Sequence, residues 1–262
     1  MIGITLEGAL GIGGRVTFAS FPENYYRNTG EKVIDLDHTW VFDHNPFVVR
    51  DQRPSEIINL WALRWPQLLR NFPLNSFLEK PVFGSIADRT ASIFNHVAYL
   101  RHPRLYRYED VPVLRDRIVL HTTGNVFNSA MGEDRRKVMS EEIVDYIRTK
   151  YRNFELIQIG LKEDLDARVI DCRGIENIWE TVKIIAQAGT FIGIDSGPSW
   201  IAASYPHIFR KKVLMQYPPE FLRNCFIAMH VLIPHHHWFD ASFMYFNRST
   251  DDAGITYSYL KI

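Results

Sequence analysis

The stretch from Thr190 to Tyr205, TFIGIDSGPSWIAASY, sets the tightest limit on what this chain folds into. Phe191 to Ile194 is a short apolar run of the kind that fills a buried strand, and it stops at Asp-Ser-Gly-Pro. Asp195 and Ser196 are helix-capping residues, Pro198 suits a first helical turn, and Trp200-Ile201-Ala202-Ala203 continues the helix. A helix that begins where a strand ends leaves its first backbone N–H groups without intrahelical partners, and such groups attract anions. The same residues also serve an ordinary structural cap, so the pattern specifies a strand-to-helix corner before it specifies a phosphate site.

The surrounding pattern repeats that corner. Arg117 to His121, Phe154 to Gly160, Val169 to Asp171 and Lys212 to Gln216 read as strands. Lys137 to Tyr151 reads as an amphipathic helix with Val138, Ile143, Val144 and Ile147 on one stripe, and Ile175 to Ala188 as the helix feeding the central strand. Strands alternating with helices predict an α/β fold with a parallel, doubly wound sheet. The first half is less regular. Ile2 to Leu6 predicts a strand, Gly8 to Gly14 a glycine turn, and Arg15 to Asn28 a helix that Pro22 ends or kinks. Lys32 to Leu36 predicts a second strand, and either Trp40-Val41-Phe42 or Phe47-Val48-Val49 a third. Ile57 to Leu69 is apolar and aromatic, Ile86 to Leu100 predicts a helix, and Arg101 to Pro112 a linker.

Composition excludes several classes. Thirty basic residues balance thirty acidic ones, so no global field draws the chain to nucleic acid or an anionic membrane. Cys172 and Cys225 are too few and too isolated for a disulfide framework or a cysteine-based metal site. His235-His236-His237 are adjacent, and adjacent side chains diverge, so a solvated or substrate-facing loop is expected there rather than a metal centre. The opening residues lack a basic segment before a long apolar one, and no run approaches the length of a membrane span. A cytoplasmic location, at most peripheral to the inner membrane, is expected.

The residues Gly193, Asp195, Ser196, Gly197, Pro198, Ala202 and Ala203 resemble the Gly-x-Asp-Ser/Thr-Gly-Pro-x-His-x-Ala-Ala motif of glycosyltransferase family nine, the ADP-heptose:lipopolysaccharide heptosyltransferases. Trp200 stands where that family has His. The opening turn is similar too: Gly8 and Gly11 match a Gly-x-x-Gly-Asp motif, but Ile12 replaces the Asp proposed as the family's base. The resemblance implies the GT-B type, two Rossmann-like domains facing each other across a cleft. The first (1–112) takes the acceptor, the second (113–245) takes the nucleotide sugar, and a closing segment (246–262) packs back on the first.

It further implies a donor site with the diphosphate against Asp195, Ser196, Gly197, Pro198 and Trp200, hydroxyls and amides from Thr122, Thr123 and Gly124, and a basic residue among Arg135, Arg136 and Lys137. Gly160 and the acidic loop after it correspond to the place for ribose and base. Gly11, Gly13 and Gly14 permit close approach of a substrate. With Ile12 unable to take a proton, the candidate bases are Glu7, Asp43 beside His44 at a strand end, and Asp240. The expected activity is metal-independent transfer of a sugar from a nucleotide-diphosphate sugar, ADP-linked sugars among the candidates, to a glycan, a lipid-linked or another acceptor, with no further cofactor. The alternatives are a nucleotide-sugar or glycan-binding protein without turnover, and a nonhydrolysing nucleotide-sugar epimerase.

Overall fold

The structure is a computed structural model describing residues 1–8, 11–61, 90–91, 94–100, 102–126, 135–139, 141–194, 196–208, 210–215 and 255–259; of 125–126, 135–137, 210–215 and 255–259 it describes the backbone. The chain divides into two compact units, Met1–Arg107 with Glu220–Ala253, and Tyr108–Pro219 with Gly254–Ile262.

In the first unit four parallel strands form one sheet: β1 (Gly3–Thr5), β2 (Val33–Asp35), β3 (Val48–Val49) and β4 (Ile57–Asn59), in the order β3-β2-β1-β4. Ile4, Val33 and Ile34 are fully buried, as the apolar runs require. Of the two alternatives for a third strand, Val48–Val49 is the one that forms, and Trp40–Phe42 is a single 3-10 turn. The helix expected over Arg15 to Asn28 is two helices, α1 (Gly11–Val16) and α2 (Phe21–Thr29). Pro22 lies in the first turn of α2, where its missing N–H costs nothing, so the proline starts a helix instead of ending one. Gly30 closes α2 with a left-handed φ of 75°, and its N–H bonds to the Tyr26 carbonyl.

The helix expected over Ile86 to Leu100 does not hold in its second half. Thr90 and Ala91 are helical, but the chain has left the helix by Asn95. The cause lies in α2, which competes for its backbone. Asn24 donates to the Leu100 carbonyl and accepts from the Leu100 amide, both at 2.8 Å. One turn later Asn28 does the same to Val97, at 2.8 and 2.9 Å. Two carboxamides four residues apart thus read an extended segment as a partner strand would. His96 rests against the rings of Phe94 and Tyr25, as a structural histidine.

The second unit carries six parallel strands: β5 (Leu114–His121), β8 (Glu155–Gly160), β9 (Ile170–Arg173), β10 (Ala188–Ile194), β11 (Arg210–Met215) and β12 (Ile255–Tyr259), ordered β12-β11-β10-β5-β8-β9. Counted along the chain this is 3-2-1-4-5-6, the order of dinucleotide-binding Rossmann sheets. From β5 the chain steps outward through β8 to β9, then returns to the other side of β5 and steps outward again. Right-handed crossovers in opposite directions place helices on opposite faces. α3 (Glu141–Lys150) packs Val144 and Ile147 with Ile118, Leu120, Ile192 and Ile194 in one core layer. α4 (Ile178–Ala186), capped by the Asn177 side chain on the Trp179 N–H, and α5 (Gly197–Ala203) pack against β10.

Two expectations are corrected here. The first is at Thr122-Thr123-Gly124-Asn125, read as a loop before a helix starting at Lys137: Thr123–Val126 (β6) and Arg135–Val138 (β7) instead pair as an antiparallel hairpin, and α3 starts at Glu141. Residues 135–138 are poor in helix-start signals, whereas Glu141 and Glu142 suit a first turn. The second is at the closing segment. Its Ile255–Tyr259 portion forms β12, parallel to β11 in the second sheet, rather than packing on the first domain. A strand with alternating Ile, Tyr and Tyr satisfies its backbone by extending an open edge.

Candidate functional site

In an open parallel sheet, ligands bind at the carboxyl ends of the strands where the winding reverses. In the second unit that point lies between β5 and β10, whose ends are His121 and Ile194. His121 is buried, and its Nδ1 lies 3.0 Å from the hydroxyl of Ser196, the residue leading into α5. The Ser196 hydroxyl also donates to the Ile194 carbonyl at 2.9 Å, and Ser199 donates to the same carbonyl at 2.7 Å. Ser196 therefore does not cap α5 with its side chain, as expected from its position, but turns back to the imidazole. Burial lowers the His121 pKa from 6.5 to about 4, which leaves the ring neutral at pH 7. A neutral imidazole is a hydrogen-bonding partner for a hydroxyl, not a cation for a phosphate.

The loop after β8 closes around the other side of this ring. Gly160 has φ of 133°, and a Cβ there would stand 2.2 Å from Asp164 Oδ2 and 3.3 Å from the His121 ring. Only glycine permits that approach. Asp164 is buried and accepts from the Leu161 amide at 2.8 Å, and its Oδ2 lies 4.0 Å from His121 Nε2, beyond hydrogen-bonding reach. Gln158, fully buried, donates to Thr122 Oγ1 at 3.0 Å and to the Leu165 carbonyl, and accepts from the Ala167 amide at 2.8 Å. The Thr122 hydroxyl donates to Leu165 O at 2.8 Å, and Thr123 Oγ1 accepts from the Leu165 amide at 3.2 Å. Both hydroxyls expected to face a phosphate are buried and engaged in pinning this loop. Arg173 binds Asp171 through two nitrogens and the Asp164 carbonyl at 2.6 Å, and with Lys162 it holds the Asp171 carboxyl well below the usual carboxylate range.

The first unit has its own reversal, between β1 and β4. Leu60 N–H bonds to the Thr5 carbonyl at 2.9 Å and the Asn59 carboxamide to the Glu7 carbonyl at 3.1 Å, which fixes the chain as it leaves β1. Trp61 then lies over the glycine turn, where a Cβ on Gly8 or Gly14 would come within 3.2 or 3.0 Å of its ring. Of the glycines expected to admit a substrate, Gly14 instead makes room for an indole, as does Gly8 of the motif. Gly11 has φ of 73° with nothing near its Cβ position, and Gly13 lies within α1. Asp37, beyond β2, was not singled out in the sequence: it accepts from the Thr5 hydroxyl at 2.8 and 2.7 Å and from the Leu6 amide at 2.5 Å. No local motif marks it, because its partners lie some thirty residues earlier.

Of the two leading candidate bases, Glu7 is exposed beside this turn. Asp43 is bound by Arg50 at 2.8 Å, and the same guanidinium binds buried Asp35 at 3.0 Å and the Thr39 carbonyl at 3.1 Å. Burial pushes Asp35 up while the Arg50 hydrogen bonds pull it down. Asp43 thus belongs to an ion-pair cluster that fastens the loop after β2. In the second unit the structure brings together Thr122, Thr123, Gly124, Gly160, Ser196, Gly197, Pro198 and half-buried Trp200 along one carboxyl edge. Gly124 and Arg136 lie on the hairpin, Gly124 opposite Lys137 and Asn125 opposite Arg136. Asp195, Asp240, Cys225 and the three histidines lie outside the described residues. Among the described residues no group of three or more His, Cys, Asp or Glu is arranged to hold a metal ion, and no helix is long and apolar enough to cross a membrane.

Neither a protein-family model nor a curated protein matches the sequence. Solved structures do match. A glycosyl transferase family 9 protein from Veillonella parvula aligns over 83% of this chain and 81% of its own, with 12% identity and a TM-score of 0.51. The iron-containing dodecameric glycosyltransferase TibC from enterotoxigenic E. coli aligns over 82% of this chain with a TM-score of 0.56 and 12% identity. TibC in complex with ADP-D-beta-D-heptose, described as a heptosyltransferase, gives 84%, 0.58 and 12%. This chain spans 57% and 59% of the length of the two TibC chains. At that identity the likeness shows a shared fold.

Proposed function

We propose that the chain is a glycosyltransferase of the GT-B type, transferring a sugar from a nucleotide diphosphate to a glycan or lipid-linked acceptor. The observation that carries the reading is the reversal point between β5 and β10, where Ser196, turned onto His121, leads into the Gly197-Pro198 turn beside the glycine-lined loop at Gly160. The shared fold with glycosyltransferases, one of them bound to an ADP-linked heptose, supports it and makes an ADP-linked sugar the first donor to try. In this reading the second unit holds the donor and the first the acceptor.

The chemistry asks for little covalent help. Departure of the nucleoside diphosphate places charge on its oxygens; at the start of α5 Pro198 has no N–H and the Ser199 and Trp200 amides bond to the Ser196 carbonyl, so the Gly197 N–H is the backbone donor proposed for that charge. The buried threonines act one step back, by holding the 161–168 loop in place. Arg136, on the hairpin that rises from the end of β5, is the proposed cation. Transfer is proposed to need no metal; loss of activity with a chelator and recovery with manganese or iron contradicts that part.

The test is a thermal-shift screen of the full chain against ADP-, UDP-, GDP- and CMP-linked sugars and the free nucleotides, with Ser196→Trp as the blocked control. A ligand at about 100 times its dissociation constant stabilises by roughly 2.7 kcal/mol, several degrees for a chain of this size. A shift with one nucleotide class, absent in the control, supports the donor site. No shift with any of them rejects it. Trp61 over the glycine turn, with Ile12 beside it, favours one second reading, a binding protein without turnover, and a bound nucleotide sugar that is never consumed supports that instead.

A further inference from the structure

We infer that Asp37 is the catalytic base that takes the proton from the acceptor hydroxyl. The inference rests on the glycosyltransferase reading and names a residue for the role that Ile12 leaves open. Asp37 follows β2 at the carboxyl edge of the first sheet, next to the end of central strand β1. A base in such a place has to be a carboxylate that is fixed, exposed and not neutralised by a cation. Asp37 meets all three conditions. The Thr5 hydroxyl bridges both its oxygens at 2.8 and 2.7 Å and the Leu6 amide meets Oδ2 at 2.5 Å, so its orientation is set by two donors on β1 and the residue after it. Thr5 is itself fixed, since its Oγ1 accepts from the Glu7 amide at 3.0 Å. These bonds leave acceptor capacity on Oδ1, and the residue is exposed.

The other carboxylates nearby fail one condition each. Asp43 shares the Arg50 guanidinium with Asp35, so it is paired to a cation. Asp35 is buried. Glu7 is exposed, but only its backbone is held, through Asn59 and Thr5. The step balances simply. The acceptor O–H proton passes to Asp37 as the acceptor oxygen forms a bond to the anomeric carbon, and the bond from that carbon to the diphosphate breaks with its electron pair leaving on the phosphate oxygen. Exposed Asp37 then returns the proton to solvent.

The experiment measures release of free nucleoside diphosphate from ADP-, UDP- and GDP-linked sugars by the full chain, with water as acceptor, alongside the thermal shift each sugar causes. A positioned general base contributes about 10²- to 10⁴-fold. Asp37→Asn, which still accepts from Thr5 and Leu6, is expected to lower kcat at least about 100-fold within that range and to keep the donor-induced thermal shift. Thr5→Val, which frees the carboxylate, is expected to fall between that variant and the wild type. Retention of kcat within about threefold in Asp37→Asn, far short of a base's contribution, overturns the inference, as does a loss confined to Glu7→Gln. A wild type that binds no nucleotide sugar, or binds without releasing nucleoside diphosphate, rejects the transferase reading and this one with it; a failure of Asp37 alone leaves donor binding intact.

Discussion

His121 joins burial to chemistry through a single ring. Because its folded pKa lies near 4 and the unfolded value is 6.5, the unfolded chain binds a proton there first as the pH falls. The folded state is therefore penalised progressively between about pH 6.5 and pH 4, by roughly 3 kcal/mol at the lower end. Thermal unfolding of wild type and His121→Asn across that window is expected to show a steeper loss in the wild type; parallel curves contradict it. Gly160→Ala probes the same pocket from the other side. With a positive φ and a Cβ 2.2 Å from Asp164, the variant is expected to lose about 1–3 kcal/mol and to displace Asp164 from His121. Unchanged stability contradicts the packing described. The sequence already marked Gly160 and Ser196 as candidates. It did not point to His121 or Asp37, because each acquires its meaning from a partner 75 or 32 residues away.

Elements were legible where a hydrophobic period sat between clear stops. β8, β10 and α4 fall close to where the apolar runs placed them, and Asn177 caps α4. Where a helix was expected too far, something else claims its backbone groups. The β6–β7 pair joins Thr123–Val126 to Arg135–Val138, and its basic strand has no alternation of apolar residues to announce it. The helix expected to reach Leu100 ends early because Asn24 and Asn28 bind the backbone of Leu100 and Val97. Glu23, buried beside them, is gripped by Arg27, Arg104 and Tyr106, so the same helix face also clamps residues 104–106. Asn24→Ala is expected to cost about 1–3 kcal/mol by leaving the Leu100 amide and carbonyl without partners. Hydrogen exchange should quicken at Leu100 in that variant; protection equal to the wild type contradicts the clamp.

At the scale of the whole molecule, the α/β class and the parallel sheets followed from strand and helix alternation, and the strand order supplied what alternation cannot. Nothing in residues 255–259 says that they belong beside β11, since alternating Ile, Tyr and Tyr fit any open edge. A chain cut after Gly254 is expected to keep β5, β8, β9 and β10 but to associate through β11, and light scattering against the full chain checks this. A monodisperse product of unchanged stability contradicts it. Residues 216–254 separate β11 from the strand that covers it. While the polypeptide is still leaving the ribosome, β11 therefore waits with a row of unpaired amides and carbonyls, in the company of other nascent chains. The edge is closed only when residues 255–259 have followed, so β11 is among the last strands of the sheet to find its second partner.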